Sequence, residues 1–349
     1  MNRVYLDWNA TTPLRAEAKA AMLAAMEVSG NPSSVHAEGR AARALIERSR
    51  AQVAAAVGCK PAEVVFTSGA TEAASVLARL PQGVLVQDTA HDALWAHRRD
   101  GAAPLLAMGL ANNETGIITL PPEKQGDGWP YQGVMAHGLL LDITQAVGRI
   151  AFAFGWSGAD MAVLSAHKFG GPKGVGALIV RDGLDIGTLS LGGGQEMGRR
   201  AGTENLIGIA GFGAAAQAAQ RDLADGVWDA VSELRDILNQ ALSAHGFPTI
   251  SVGYGQRRLP NTLNLIAPGW KGETQVMAMD LAGFAVSAGS ACSSGKVRAS
   301  RVLKAMGYDE ALAGQAIRIA LGPTSRRDDV LRFAEVWGRE YRRILARAA

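Results

Sequence analysis

Short apolar runs alternate with helical patterns along the first part of the chain. Between Glu38 and Val57 the apolar residues recur at helical spacing with arginines and glutamates between them, which predicts an amphipathic helix. Short apolar runs that suit buried strands occur at positions 63–66, 83–86, 139–141, 161–164 and 176–180. This alternation predicts an α/β domain with a largely parallel sheet. Because such sheets bind ligands beyond the carboxyl ends of their strands, the residues that follow each run are the candidates for chemistry.

The last third of the chain has a different pattern. A helical region over 207–244 leads to strand-like runs at 263–266 and 284–287, and residues 328–348 form a strongly amphipathic helical pattern. The pattern predicts a second, smaller α+β domain. Within the first domain, residues 121–138 predict only a poor crossover helix, because glycines and prolines interrupt them.

Composition places the chain among globular proteins. Of its 349 residues, 48% are hydrophobic and 19% are charged, which excludes the disordered and fibrous classes. The formal charge of +3 includes no block of like charges, so we expect no nucleic-acid partner. The start of the sequence has no apolar signal segment and no apolar run suits a bilayer span, so we expect a cytoplasmic protein without a membrane partner. The six histidines are scattered, and we expect no metal site.

Three strand ends carry an unusual set of polar groups. They are Asp142 with Gln145; Ser165, His167 and Lys168; and the turn Thr67-Ser68-Gly69-Ala70-Thr71. A glycine-containing turn that opens a helix directs backbone N–H groups at an anion, so the turn is a candidate phosphate site. Singly, an Asp after a strand is more often a helix cap, and a lone Lys is more often a solvated surface group. Together, a phosphate site, a carboxylate for a protonated ring nitrogen and a lysine for a Schiff base are the parts that pyridoxal phosphate requires.

Motifs in a fixed order along the chain carry a resemblance to a known family. They are Tyr5-Leu6-Asp7 with Ala10-Thr11-Thr12-Pro13; Gly30-Asn31-Pro32-Ser33-Ser34 with His36; residues 66–72; Asn112-Asn113-Glu114-Thr115-Gly116; Asp142 with Gln145; residues 165–176; GGGQEMGRRAGTEN at 192–205; SAGSACSS at 287–294; and Arg318 in IRIALG. With these motifs the chain resembles the class V aminotransferase superfamily of fold type I pyridoxal-phosphate enzymes. Within it, the chain is similar to the cysteine desulfurases of the NifS and IscS kind.

The resemblance implies a fold and a domain division. The fold is α/β, with a large domain around a mostly parallel sheet of the seven-stranded type, which a shorter chain can trim, and a smaller α+β C-terminal domain. Residues 13–230 would form the large, cofactor-binding domain. Residues 1–12 and 231–349 would form the small domain, which carries the catalytic cysteine loop.

The resemblance also implies how the cofactor ring is held. Lys168 would hold pyridoxal phosphate through a Schiff base, and its released amine would remove the substrate α-proton. Asp142 would keep the pyridine nitrogen protonated, so that the ring accepts electrons. Gln145 and Asn113 would hydrogen-bond the phenolic oxygen, and His91 would stack on the ring face and move protons.

The phosphate and the substrate have their own implied residues. Those for the phosphate are Ala70, Thr71, Ser165, His167 and, from the neighbouring chain of a homodimer, Thr203. The substrate L-cysteine would be bound by Arg318, through a two-pronged hydrogen bond to its carboxylate, together with Asn113.

Cys292 distinguishes the desulfurases from the other enzymes of the superfamily. A free cysteine is most often a small core residue, and we keep that interpretation for Cys59. Cys292 instead lies in a small, polar loop, and the nearby Lys296, Arg298 and Arg301 favour its thiolate. The implied activity converts L-cysteine to L-alanine and leaves the sulfur on Cys292 as a persulfide. The sulfur would then pass to an acceptor or scaffold protein, for iron–sulfur cluster assembly or for thio-cofactor or tRNA sulfur supply.

Besides the poor helix at residues 121–138, the chain departs from the family's usual pattern at two places. The usual Asp-Asn-Ala-Ala start is here Asp7-Trp8-Asn9-Ala10, and the segment between His91 and Asn112 is short enough to lack a strand and a helix.

The alternative functions that stay open are another class V aminotransferase or lyase, or a degenerate paralogue without turnover. A nucleotide-binding protein is disfavoured, because the glycine-rich stretches at 170–176 and 192–194 fit neither the dinucleotide nor the P-loop pattern. The sequence leaves the sulfur acceptor and a preference for selenocysteine undetermined.

Overall fold

The computed structural model describes residues 3–289 and 299–348. The chain divides into two compact units. The larger unit comprises residues 12–110 and 119–224, and the smaller unit comprises residues 1–11, 111–118 and 225–349. The segment 111–118, which the sequence prediction assigns to the large domain, is thus part of the smaller unit.

Strands and helices alternate along much of the chain. In chain order the strands are β1 (Val4–Tyr5), β2 (Val64–Thr67), β3 (Val84–Val86), β4 (Leu105–Gly109), β5 (Trp129–Tyr131), β6 (Val134–Ala136), β7 (Gly138–Asp142), β8 (Met161–Ser165), β9 (Gly176–Val180), β10 (Ile250–Ser251), β11 (Thr262–Ile266), β12 (Phe284–Ala285), β13 (Ser287–Ala288) and β14 (Ala316–Ala320). The helices are α1 (Ala16–Met26), α2 (Ala37–Val57), α3 (Ala70–Ala74), α4 (Asp92–Trp95), α5 (Phe154–Ser157), α6 (Leu206–Ala224), α7 (Val227–Ser243), α8 (Gly272–Leu281), α9 (Arg301–Ala305), α10 (Glu310–Ala313) and α11 (Arg327–Ala348).

The larger unit is built on a six-stranded sheet with the order β2-β9-β8-β7-β4-β3. Strands β3, β4, β7 and β8 are parallel to their neighbours in that series, and β9 is antiparallel to both β2 and β8. The predicted α/β class with a mostly parallel sheet is confirmed. The sheet has one strand fewer than the seven-stranded type, in keeping with the short segment between His91 and Asn112.

Both faces of this sheet are buried, because alternate residues of each strand point in opposite directions. Leu139 and Leu141 belong to one apolar cluster, which includes Phe212 of α6. Leu140 belongs to a second cluster, which includes Leu77 beyond α3. Strands buried on two faces read as continuous apolar runs rather than as alternating ones, which is the pattern seen in the sequence.

Three regions differ in detail from the sequence expectations. The helical region over 207–244 is two helices, α6 and α7, because Gly226 adopts a left-handed conformation (φ 70°) between them. Residues 121–138 form the antiparallel hairpin β5–β6 instead of a crossover helix, with Gly133 at φ 78° in its turn. Strand β4 has no counterpart among the predicted runs.

The smaller unit contains a four-stranded antiparallel sheet with the order β10-β11-β14-β13, and β1 pairs in parallel with β12. The amphipathic helix α11 buries Trp337 and Tyr341 completely. Their rings pack against Trp270 with centroid separations of 5.7 and 5.8 Å. Among the described residues of both units, no helix combines the length and the apolar character that crossing a bilayer requires.

Candidate active site

Three neighbouring strands of the larger unit bring predicted phosphate-binding residues to one edge of the sheet. Ser165 ends β8 and pairs with Gly176, which also pairs with Thr67 at the end of β2. The backbone amide of Ala70 donates a hydrogen bond to Ser165 Oγ at 2.7 Å. A Cβ on Gly176 would lie 2.6 Å from the Cα of Gly69, so the close approach of this turn requires glycine. The structure therefore brings Ala70 and Ser165 together.

His167 and Lys168 lie in one 3-10 turn directly after β8. The carbonyl of Lys168 accepts hydrogen bonds from Thr12 Oγ1 at 2.8 Å and from Arg149 Nη2 at 2.9 Å. The carbonyl of His167 accepts a hydrogen bond from the Thr12 amide at 2.8 Å. Burial, together with the charge of Lys168, lowers the pKa of His167 to about 4. The His167 ring is therefore neutral at pH 7.

Asp142 is the last residue of β7, and Gln145 lies three residues after it. Asp142 Oδ1 accepts a hydrogen bond from the Thr144 amide at 2.9 Å, so one carboxylate oxygen makes the turn-capping bond typical of Asp. Gln145 is buried, and its Oε1 accepts a hydrogen bond from Arg149 Nη1. Because Arg149 also binds the carbonyl of Lys168, this arginine joins two of the predicted site residues.

His91 is the N-cap residue of α4. Its Nδ1 accepts a hydrogen bond from the Ala93 amide at 3.1 Å. A ring nitrogen that accepts a hydrogen bond carries no proton, so the neutral ring has its proton on Nε2. In the neutral ring, Nε2 is therefore a hydrogen-bond donor, and it is the atom through which His91 would move protons.

Thr71 and Thr203 lie at exposed positions of the larger unit. Thr71 is in the first turn of α3, next to Glu72, which forms an ion pair with Arg200 at 2.9 Å. This ion pair ties the segment that carries Thr203 to α3. The predicted role of Thr203 in a neighbouring subunit stays a prediction.

Arg318 lies within β14 of the smaller unit, and strand pairing places it opposite Ser287 of β13. Its Nη2 forms an ion pair with Asp7 Oδ1 at 2.6 Å, and its Nη1 donates to the carbonyl of Asn113 at 3.2 Å. Ser287 Oγ donates to the second oxygen of Asp7 at 2.8 Å. Arg318 Nε is buried without a partner among the described residues, so the guanidinium has a donor for an incoming anion.

Of the two cysteines, only Cys59 lies among the described residues. Cys292, with Lys296 and Arg298, lies outside the described residues, and its role stays a prediction. Cys59 is described: burial, with a smaller contribution from the Glu63 charge, raises its pKa to about 12. A thiol with that pKa is protonated at neutral pH and is a poor nucleophile.

Two contacts of the site were missed by sequence reasoning. Arg149 lies four residues after Gln145 in an apolar stretch, and an arginine in such a stretch indicates a buried charge with a specific acceptor. The bonds from Thr12 to the turn that holds Lys168 span more than 150 residues of sequence, and no local pattern predicts them.

Comparisons with known proteins agree over nearly the whole chain. A family model described as aminotransferase class-V matches residues 4–89 and 91–333. A cysteine desulfurase from Cereibacter sphaeroides is 38% identical over 375 residues, which cover 96% of this chain and 95% of that protein. A cysteine desulfurase from Klebsiella pneumoniae is 36% identical over 365 residues, which cover 95% of this chain and 90% of that protein. Among solved structures, a NifS-like protein from Rickettsia africae matches with a TM-score of 0.85 and 27% identity, over 98% of this chain and all of that one.

Proposed function

The chain belongs to the class-V aminotransferase family, and on that premise we propose that it is a pyridoxal-phosphate-dependent cysteine desulfurase. The observation that carries the proposal is the identity of 36–38% with cysteine desulfurases across at least 95% of the chain. The reaction breaks the Cβ–S bond of L-cysteine and forms an S–S bond to the Cys292 thiolate. Cβ receives a proton and L-alanine leaves, so the electrons balance without an outside oxidant.

The residues of the larger unit fit the phosphate of the cofactor. Because Ser165 Oγ accepts a hydrogen bond from the Ala70 amide, its own hydrogen is directed elsewhere and can be donated to a phosphate oxygen. The neutral ring of His167 has one N–H to donate. Thr71 adds a hydroxyl in the first turn of α3, and Thr203 of a second copy completes the set in the proposed homodimer.

The ring of the cofactor has a fitting set of residues as well. When bound, pyridoxal phosphate supplies an electron sink that stabilises negative charge at the substrate Cα. Lys168 would hold the cofactor covalently, and its amine would take the substrate α-proton. Asp142 would hold the proton of the ring nitrogen, while Gln145 and Asn113 would hydrogen-bond the phenolic oxygen. His91 would stack on the ring and would move protons at Nε2.

Substrate binding and sulfur transfer use residues of the smaller unit. Arg318 binds the substrate carboxylate, and its ion pair with Asp7 fixes the plane of the guanidinium. Cys292 receives the sulfur, and Lys296, Arg298 and Arg301 favour its thiolate. We assign the cofactor lysine Lys168 to the larger unit and the catalytic cysteine to the smaller one. The enzyme acts in the cytoplasm and passes its sulfur to an acceptor protein.

Two measurements test the function. The purified protein should show the absorption band of lysine-bound pyridoxal phosphate, and Lys168→Ala should lose it; a wild-type protein that cannot be loaded would refute the cofactor assignment. Cysteine-dependent alanine production should fall to background in Cys292→Ser and persist in the control Cys59→Ser. Full alanine production by Cys292→Ser would refute the role of Cys292 as the sulfur acceptor.

A further inference from the structure

Arg149 is a buried cation that joins two residues of the proposed cofactor site. It is 2% exposed, its Nη1 donates to Gln145 Oε1, and its Nη2 donates to the carbonyl of Lys168 at 2.9 Å. We propose that Arg149 is a positioning residue that sets the orientation of the Gln145 amide and thereby directs its N–H group at the phenolic oxygen of pyridoxal phosphate. The inference rests on the proposed function, in which Gln145 binds that oxygen.

The orientation follows from the donors and acceptors present. A guanidinium has only donors, so the group of Gln145 that faces Arg149 is its oxygen. The amide NH₂ is then directed away from Arg149, and it is the group that Gln145 offers to another partner. The ionised phenolic oxygen is an acceptor and needs a donor. Without Arg149, the two ends of the amide would exchange places at little cost, and the oxygen of Gln145 would repel the phenolic oxygen.

The local backbone explains why Arg149 reaches both acceptors. The amides of Val147 and Ile150 bond to the carbonyls of Ile143 and Ala146, so the chain folds into consecutive turns after β7, and these turns bring the side chain of Arg149 back to Gln145. Gly148 takes a left-handed φ of 71°, and a Cβ on it would lie 2.7 Å from the Cβ of Ala219. The glycine therefore allows this turn to pack against α6, with Arg149 held in the interior.

The charge of Arg149 acts in the same direction as the amide it orients. A fixed positive charge and an N–H donor both stabilise the negative phenolic oxygen, and both disfavour a proton on the Lys168 nitrogen bonded to the cofactor. Of the other groups near this turn, the His167 ring is neutral at pH 7, because burial and the charges of Lys168 and Lys173 lower its pKa to about 4, and Asp142 serves the ring nitrogen. Arg149 thus lowers the pKa of the Lys168 nitrogen in the loaded protein.

The test is an absorption titration of the protein loaded with pyridoxal phosphate, without substrate, between pH 5 and 10. In Arg149→Met the pKa of the Lys168 nitrogen should rise by about one unit, the size expected for the loss of one charge-assisted hydrogen bond. Gln145→Ala should raise it by less, because the charge of Arg149 remains, and the double variant should not exceed Arg149→Met, since without Arg149 the Gln145 amide is no longer directed at the phenolic oxygen. Arg149→Lys keeps the charge but cannot span both acceptors, and should give a smaller rise.

Arg15→Met is the matched control. Arg15 is another arginine of the larger unit, with a side chain 16% exposed, and its Nε donates to the carbonyl of Phe169, next to Lys168, at 2.8 Å. It therefore supports the same turn without a hydrogen bond to Gln145, and its removal should leave the pKa unchanged. If Arg149→Met fails to load, Arg149→Lys carries the comparison.

The outcomes separate the inference from the function it rests on. An unchanged pKa in both Arg149 variants, with a raised one in Gln145→Ala, would overturn the role of Arg149 and leave the proposed function intact. A rise in Arg15→Met equal to that in Arg149→Met would show that both act only through the backbone turn, which also overturns it. An unchanged pKa in Gln145→Ala would remove Gln145 from the cofactor site. Absence of the band from the wild type would refute the proposed function itself.

Discussion

The buried ion pair between Arg50 and Glu196 gives the sharpest stability prediction for this protein. The Glu196 side chain is 1% exposed and that of Arg50 is 6% exposed, and two hydrogen bonds of 2.8 Å join them. Glu196 also accepts from the amide of Phe66 at 2.7 Å, and Arg50 lies 4.8 Å from the centroid of the Phe66 ring. Burial is the largest single effect on the pKa of Arg50 and would lower it, but the hydrogen bond to Glu196 and the charges of Glu196 and Glu47 together outweigh burial, so the pKa is raised.

The perturbation is Glu196→Gln, which keeps the shape and removes the charge. It leaves Arg50 buried with only Glu47, which is 53% exposed, as a carboxylate partner at 3.3 Å. The Gln side chain also places an NH₂ group where one carboxylate oxygen accepted hydrogen bonds, so the N–H donors that face it lose their acceptor. Removing one partner of a buried ion pair costs about 3–5 kcal/mol, and partial compensation by Glu47 places the expected loss near 3 kcal/mol.

The assay is urea unfolding at pH 7, followed by fluorescence and circular dichroism together to test whether the transition is two-state. The matched control is Asp182→Asn, which breaks an ion pair to Lys60 in which both side chains are 68% exposed; because water screens this pair, the variant should unfold at the same urea concentration as the wild type. A double-mutant cycle with Arg50→Met should show strong coupling, because each change removes the same contact. A loss of less than about 1 kcal/mol in Glu196→Gln would refute the reasoning.

Three shorter predictions concern other parts of the chain. Cys59, with a pKa of about 12, should resist iodoacetamide at pH 8 in the folded protein and react once urea unfolds it; rapid labelling before unfolding would contradict its burial. His167 has a pKa of about 4 in the folded protein against an ordinary value of 6.5, so the unfolded chain binds the proton more tightly between these pH values. Stability of the unloaded protein should therefore fall as the pH drops from 6.5 to 4, by about 1 kcal/mol after solvent screening, and His167→Asn should flatten that slope in urea titrations. Gly322→Ala should cost about 2–3 kcal/mol or more, because the new Cβ would lie 2.0 Å from the ring of Trp8. The control Gly246→Ala meets no atom within 4 Å and should cost only about 1 kcal/mol for its left-handed backbone, and equal losses would refute the steric argument.

Local patterns in the sequence determine the elements of this protein and the identity of its family. The apolar runs predict β2, β7, β8 and β9, and the amphipathic period predicts α2 and α11, because the side-chain periodicity of a strand or helix depends only on near neighbours. The motifs identify the family, and the matches to the family model and to the cysteine desulfurases confirm it. Lys168 could be named in advance because it follows an apolar run within a motif of the family.

Tertiary structure decides the features that depend on contacts distant in sequence. Residues 121–138 form a hairpin, and Ser165, Gly176 and Thr67 meet only because β9 pairs with both β8 and β2. The partners of buried charges, Arg149 with the Lys168 carbonyl and Arg50 with Glu196, 146 residues apart, are likewise set by packing. A buried charge must find a partner, but which partner lies within hydrogen-bond distance is settled by the register of the sheet and the packing of the helices on it. The sequence therefore predicts which residues carry the chemistry, and the fold decides what holds them in place.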